Sequence, residues 1–122
     1  MKSFLLVFLG GGLGSALRYL VASAMNQYSK VLPFGTFTVN IVGCLLIGMI
    51  LGYAQKENTL TSNQILLLAT GFCGGFTTFS AFANENLELI KNGEIFNFSV
   101  YTIGSILVGV LAVFIGFYLT NR

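Results

Sequence analysis

The sequence predicts an all-α integral membrane protein with four transmembrane helices, the third broken at its middle, assembled as an antiparallel dual-topology homodimer. Three observations predict it. First, the 122 residues are 55% hydrophobic and only 8% charged, with a mean hydropathy of +0.83. A soluble domain carries about a quarter charged residues, so this chain cannot cover its surface with polar groups. Second, the apolar residues fall into four stretches, each near the roughly 20 residues that a helix needs to cross a hydrocarbon core of about 30 Å. The third stretch is interrupted by glycines, threonines and a serine. Third, the few Lys and Arg residues are divided almost evenly between the two sides of such a four-span arrangement.

Residues 1–122 form one four-span membrane domain. The first span covers about residues 3–25. Its start (Met1, Lys2, then Phe4 to Leu9) resembles a signal peptide. However, the segment continues through glycines to Arg18 without a small-residue cleavage site, and it reads as a retained span. The second span, about 34–53, follows Pro33, whose missing N–H does least harm at a helix start. The third covers about 65–90, with Thr61 and Ser62 as candidate N-caps and a break at 74–78. The fourth covers about 98–119. The connections, 26–33, 54–64 and 91–97, are short and polar. Gly10 with Gly14, and Gly48 with Gly52, have the GxxxG spacing that lets helix backbones approach in lipid. There is no second domain, low-complexity tract or long repeat.

Four spans place both termini on one side. That side carries Lys2, Lys56 and Arg122, and the other carries Lys30 and Lys91, joined by Arg18 if that residue reaches its end of the first helix. An excess of cytoplasmic Lys and Arg normally sets the orientation. Here charge scarcely chooses, so insertion in both orientations and an antiparallel pair are expected.

Composition also excludes functions. A net charge of +2 with no basic run does not suit nucleic acid. The chain has no His and no Asp, which removes His-centred triads, histidine metal ligands and the usual proton shuttles. Cys44 and Cys73 each sit within an apolar segment, form no CxxC pair and read as small buried hydrophobes.

The most informative string is GFCGGFTTFSAF, Gly71 to Phe82. Its glycines, Thr77, Thr78 and Ser80 are poor choices for an uninterrupted helix. A break at membrane depth leaves backbone groups without partners and persists only where it is buried in protein, lines water or holds an ion. The half-helix before the break ends in free carbonyls that can coordinate a small cation such as Na⁺. The one after it begins with free N–H groups that Thr77, Thr78 or Ser80 can cap. A packing kink without an ion is the alternative.

Other polar residues share the membrane interior. Arg18 either faces an aqueous vestibule or snorkels to the headgroups. Asn40 offers amide donors near the middle of the second span, one turn from Thr36 on the same face. Phe79 and Phe82 share a face of the second half-helix, and their positive ring edges suit an anion. Glu85 lies deeper than Glu88, which pairs with Lys91. Tyr101, Ser105 and Gly109 form one stripe of the fourth span.

At these residues the chain resembles the Fluc (CrcB) family of fluoride channels over essentially its whole length. Three motifs carry the resemblance: GGGLGSALRY at Gly10–Tyr19, GTFTVNIVG at Gly35–Gly43, and GFCGGFTTFSAF at Gly71–Phe82. The resemblance implies a dual-topology homodimer with two antiparallel fluoride pores in a bacterial inner (plasma) membrane. It also implies a structural Na⁺ at the dimer centre, held by main-chain carbonyls of Gly74 and Thr77 from each subunit. Asn40, Phe79 and Phe82 match the family's pore residues, Ser80, Tyr101 and Ser105 a polar track, Glu85 an acidic residue near its end, and Arg18 the vestibule's basic residue. The implied role is fluoride resistance by passive export of F⁻ that entered as HF. Ala81 and Gly109 depart from the pattern, since relatives carry hydroxyl residues there. The partners implied are fluoride, a second copy and the bilayer, with no nucleic acid and no enzymatic reaction.

The main rival is a small dual-topology proton-coupled drug exporter. That mechanism wants a membrane-embedded carboxylate, and here all four Glu residues lie in loops or toward the end of the third span. A packing scaffold is a second rival.

Overall fold

A computed structural model describes residues 1–28 and 31–122, with the Glu57 side chain left aside. Lys30, one of the charges weighed for orientation, lies outside the described residues. Regular structure among the described residues is entirely helical. Helix α1 covers Lys2–Asn26 and α2 covers Phe34–Glu57. Helix α3 covers 62–76. It is α-helical at Ser62–Ile65, π-helical through Leu66–Cys73 and α-helical again at Gly74–Phe76. Helix α4 is Phe79–Lys91 and α5 is Ile95–Asn121. Among the described residues, four units are long and apolar enough to cross a membrane: α1, α2, the α3–α4 pair and α5.

These helices outrun the apolar limits read from sequence. Leaving a helix near lipid strands N–H and C=O groups, so the backbone keeps its ladder until a turn residue stops it. Asn58 does so after α2, at φ 52, and Gly93 after α4, at φ 74. Thr61 caps α3 with a full capping box: the Gln64 N–H donates to its hydroxyl at 3.2 Å, while its own N–H donates to Gln64 Oε1 at 2.9 Å. Ser62 is the first helical residue rather than the cap.

Backbone-to-backbone approach organises the packing. A Cβ on Gly48 would strike the Val113 carbonyl, and one on Gly52 would strike that of Phe117, so α2 and α5 lie in direct contact. Thr120 Oγ1 fastens their ends by donating to the Met49 carbonyl at 2.8 Å. Gly10 and Gly14 do the same for α1 against α3, meeting the Leu67 and Phe72 carbonyls. In lipid such contacts replace the hydrophobic drive between helices. The enclosed core is accordingly small, centred on Val39 and Cys73, while leucines, isoleucines and phenylalanines along α1 and α5 face outward.

The third span departs from the expected break at 74–78. Gly74 keeps helical angles (φ −62°, ψ −37°), and its N–H reaches the Ala69 carbonyl five residues back. The chain leaves the helix only at Thr77 (φ −82°, ψ 157°) and Thr78 (φ −149°, ψ 118°). Glycine permits a bend without requiring one. The residues that extend are β-branched threonines, which prefer extended backbone.

Candidate functional site

The break is held by a side chain from another helix. In an unbroken helix the Thr78 N–H would bond the Gly74 carbonyl. Here it goes to Asn40 Oδ1 at 2.7 Å, while Asn40 Nδ2 donates to the Thr78 carbonyl at 3.2 Å. The N–H needs an acceptor, which fixes how the Asn40 amide is turned. One Asn40 N–H remains for another partner. Thr77 folds back, its N–H and hydroxyl both donating to the Cys73 carbonyl, at 3.0 and 2.9 Å. Thr78 is the N-cap of α4, its hydroxyl accepting from the Ala81 N–H at 3.2 Å and lying 3.2 Å from the Ser80 hydroxyl. Of the three proposed caps, Thr78 serves.

Arg18 points inward. Its Nε donates to the Gly75 carbonyl at 3.0 Å, and Ser15 Oγ donates to the same oxygen at 3.3 Å. The guanidinium sits half-buried at the carbonyl end of α3, where a cation complements the helix dipole.

A cavity of about 550 Å³ lies beside the break. Asn40, Gly74, Thr77, Phe79, Phe82 and Ser105 all line it, together with Gly43, Cys44 and Cys73. Phe79 and Phe82 stand 5.8 Å apart centre to centre, and Phe82 lies 5.1 Å from the Tyr101 ring, both pairs tilted. Phe79 is 80% exposed, and Gly74 and Ser80 are exposed as well, so the cavity opens on an uncovered face of the chain. Ser80, Tyr101, Glu85 and Arg18 do not line this cavity. Tyr101 is buried behind Phe82. Glu85 accepts a 2.9 Å bond from the Thr36 hydroxyl and borders a second hollow of about 470 Å³ with Glu88 and Glu94.

Three buried polar atoms have no hydrogen-bond partner among the described residues: Tyr101 OH, Ser105 Oγ and Glu85 Oε1. The Tyr101 hydroxyl lies near the Glu85 carboxylate and Thr36 without completing a bond of good geometry. A buried hydroxyl left unpaired costs about 1–3 kcal/mol. Tyr101 has the unpaired Glu85 oxygen as an acceptor close by, which leaves Ser105, on the wall of the cavity, as the hydroxyl with unfilled capacity for an acceptor. Ser15 was not singled out by the sequence reading, whereas Gly43 and Gly75 were read only as glycines that admit close neighbours or a break. Ser15 had a legible signal, since it stands three residues before Arg18 and shares its face.

A family model described as "CrcB-like protein, Camphor Resistance (CrcB)" matches residues 5–117. Curated relatives named "Fluoride-specific ion channel FluC" match end to end. That of Phocaeicola vulgatus is 49% identical, the match covering 99% of this chain and all of the relative. That of Gloeothece citriformis is 49% identical, covering the whole chain and 99% of the relative. That of Flavobacterium psychrophilum is 43% identical with the same coverage.

Proposed function

The chain belongs to the CrcB-like family, and from that premise we infer that it is a fluoride-selective ion channel, a multi-pass protein of the inner (plasma) membrane that lets F⁻ leave the cytoplasm passively. The family is one of channels and not of enzymes. One observation carries the site reading: Asn40 of α2, Phe79 and Phe82 of α4, and Ser105 of α5 converge on one cavity beside the broken helix.

Fluoride is small and strongly hydrated, so a selective path must replace its water with donors. The free Asn40 N–H and the Ser105 hydroxyl supply them on the cavity wall, and in our reading the Tyr101 hydroxyl, behind Phe82 and beside Glu85, continues the track. The edges of Phe79 and Phe82 add a weakly positive surface, which attracts an anion without the full charge that would hold it. Ser80 and Glu85 extend this track toward its ends in our reading, and Arg18 stands at the vestibule side of the break.

A second, antiparallel copy would complete the pores. Gly74, Phe79 and Ser80 lie exposed on a single chain, and polar broken backbone facing lipid is costly. A partner's surface relieves that cost, and the balanced charges favour a partner of opposite orientation. The residues also fit a Na⁺ at the shared axis. The Gly74 carbonyl has lost its helical donor to Asn40, and a Cβ at Gly74 would meet nothing nearer than Ala69 O at 4.0 Å. Gly74 and Thr77 carbonyls from each copy would be its ligands. Bound there, Na⁺ would neutralise converging carbonyl dipoles and tie the subunits together.

The test is efflux from liposomes containing the protein. F⁻ should leave orders of magnitude faster than Cl⁻, without a proton gradient. Equal rates, or a strict need for that gradient, would reject the channel reading in favour of an exporter.

A further inference from the structure

The last four carbonyls of a helix lack intrahelical donors, and at the end of α3 they are shared out unequally. The Cys73 carbonyl is taken twice by Thr77. Gly74 has lost its donor to Asn40. Gly75, the residue between the break and that open carbonyl, is claimed from α1 by Arg18 Nε at 3.0 Å and Ser15 Oγ at 3.3 Å. The reach is possible because α1 and α3 touch backbone to backbone: a Cβ on Gly75 would strike the Gly11 carbonyl. A guanidinium therefore sits one peptide unit from the carbonyl proposed to bind a cation.

We propose that Arg18 is a positioning residue for the cation site: by occupying the Gly75 carbonyl it leaves Gly74 and Thr77 as the open ligands, and its fixed charge restricts the site to a monovalent ion. This rests on the central Na⁺ reading given above. A divalent ion at the same place meets twice the repulsion that a monovalent one meets. The fixed charge thus biases the site by valence, whatever the ligand distances.

Wild type, Arg18→Gln and Arg18→Lys are purified in detergent with choline as the only cation, and thermal unfolding is followed as Na⁺ or Ca²⁺ is added. Arg18→Gln keeps an amide that can donate to a carbonyl but removes the charge. Its Ca²⁺-to-Na⁺ affinity ratio should rise about tenfold or more, while Arg18→Lys stays within about threefold of wild type. A purely structural role would lower stability without moving the ratio. An unchanged ratio in Arg18→Gln overturns the proposal, as does a lysine variant that behaves like the glutamine one. If Arg18→Gln does not fold, the wild type decides: Ca²⁺ must fail to replace Na⁺ as a stabiliser, and equal stabilisation overturns the proposal. A wild type that conducts F⁻ but ignores Na⁺ removes the cation site and this inference with it, leaving the channel reading intact.

Discussion

Replacing Asn40 by alanine removes both hydrogen bonds that hold the peptide groups of Thr78, the 2.7 Å bond to its N–H and the 3.2 Å bond to its carbonyl. Each buried polar group left unpaired costs about 1–3 kcal/mol. Thr78 is only half-buried, so the lower part of that range applies and the two losses together come to about 2–4 kcal/mol. That is a large share of a typical stability of about 5–15 kcal/mol. The freed N–H has one local alternative, the Gly74 carbonyl, and taking it would straighten the break and remove a proposed cation ligand. Asn40→Ala should therefore lower the melting temperature in detergent and reduce F⁻ efflux from liposomes together. Asn40→Asp separates the effects. It keeps an acceptor for the Thr78 N–H but turns a second oxygen toward the Thr78 carbonyl and sets a negative charge beside the anion path. With an effective dielectric of about 20 and a separation of about 5 Å, that charge opposes the anion by roughly 3 kcal/mol, on the order of 100-fold in flux. An Asn40→Ala protein that melts and conducts like wild type would refute the clamp, and an Asn40→Asp protein at full rate would remove Asn40 from the path.

Phe79→Ile and Phe82→Ile keep bulk but lose the ring edges. Each should slow F⁻ efflux without changing the particle size on size-exclusion chromatography, because isoleucine has no ring edge with partial positive charge to offer an anion. Unchanged flux in both would return the rings to packing. Gly14→Ala drives a methyl into the Phe72 carbonyl; forcing these backbones apart should cost about 1–3 kcal/mol, read as a lower melting temperature. A wild-type melting curve would mean that α1 and α3 lie farther apart than described.

The features written locally in the chain were legible. Four runs of apolar residues mark four spans, Thr61 and Ser62 mark the start of the third, of which Thr61 is the cap, and the paired glycines mark close backbone contacts, which the structure places between α1 and α3 and between α2 and α5. The break was legible as a region but not as a position. Glycine composition suggested 74–78, whereas hydrogen bonding keeps Gly74 and Gly75 helical and opens only Thr77 and Thr78. The π-helical turn at Leu66–Cys73 gave no warning, since a five-residue ladder has no side-chain pattern of its own and π segments are rare. Partners far apart in sequence were equally hidden. Asn40 and Thr78 are 38 residues apart and Arg18 and Gly75 are 57 apart. Asn40 and Arg18 stood out as polar residues in an apolar run, but what each one bonds is a property of packing.

Gly43 tests whether that packing governs the cation site. It lies on α2 three residues beyond Asn40, and a Cβ there would strike the Thr77 methyl, Cγ2. A threonine is stiff about χ1, and this one is pinned by its hydroxyl bond to the Cys73 carbonyl at 2.9 Å. Thr77 can therefore yield to Gly43→Ala only by breaking that bond or by shifting its own backbone, and the shift moves the carbonyl proposed to hold Na⁺. Alanine is otherwise the better residue inside a helix, by about 0.5–1 kcal/mol. The expected net effect is thus a loss despite improved propensity, with Na⁺ stabilising the variant less than wild type. Thr77→Ser removes Cγ2 and retains the hydroxyl. Adding it to Gly43→Ala should restore both the melting temperature and the response to Na⁺, giving a favourable coupling of about 1 kcal/mol or more in the double-mutant cycle. Additive losses would mean that Gly43 acts elsewhere than on Thr77. A Gly43→Ala protein more stable than wild type would mean that the site has room the geometry does not allow.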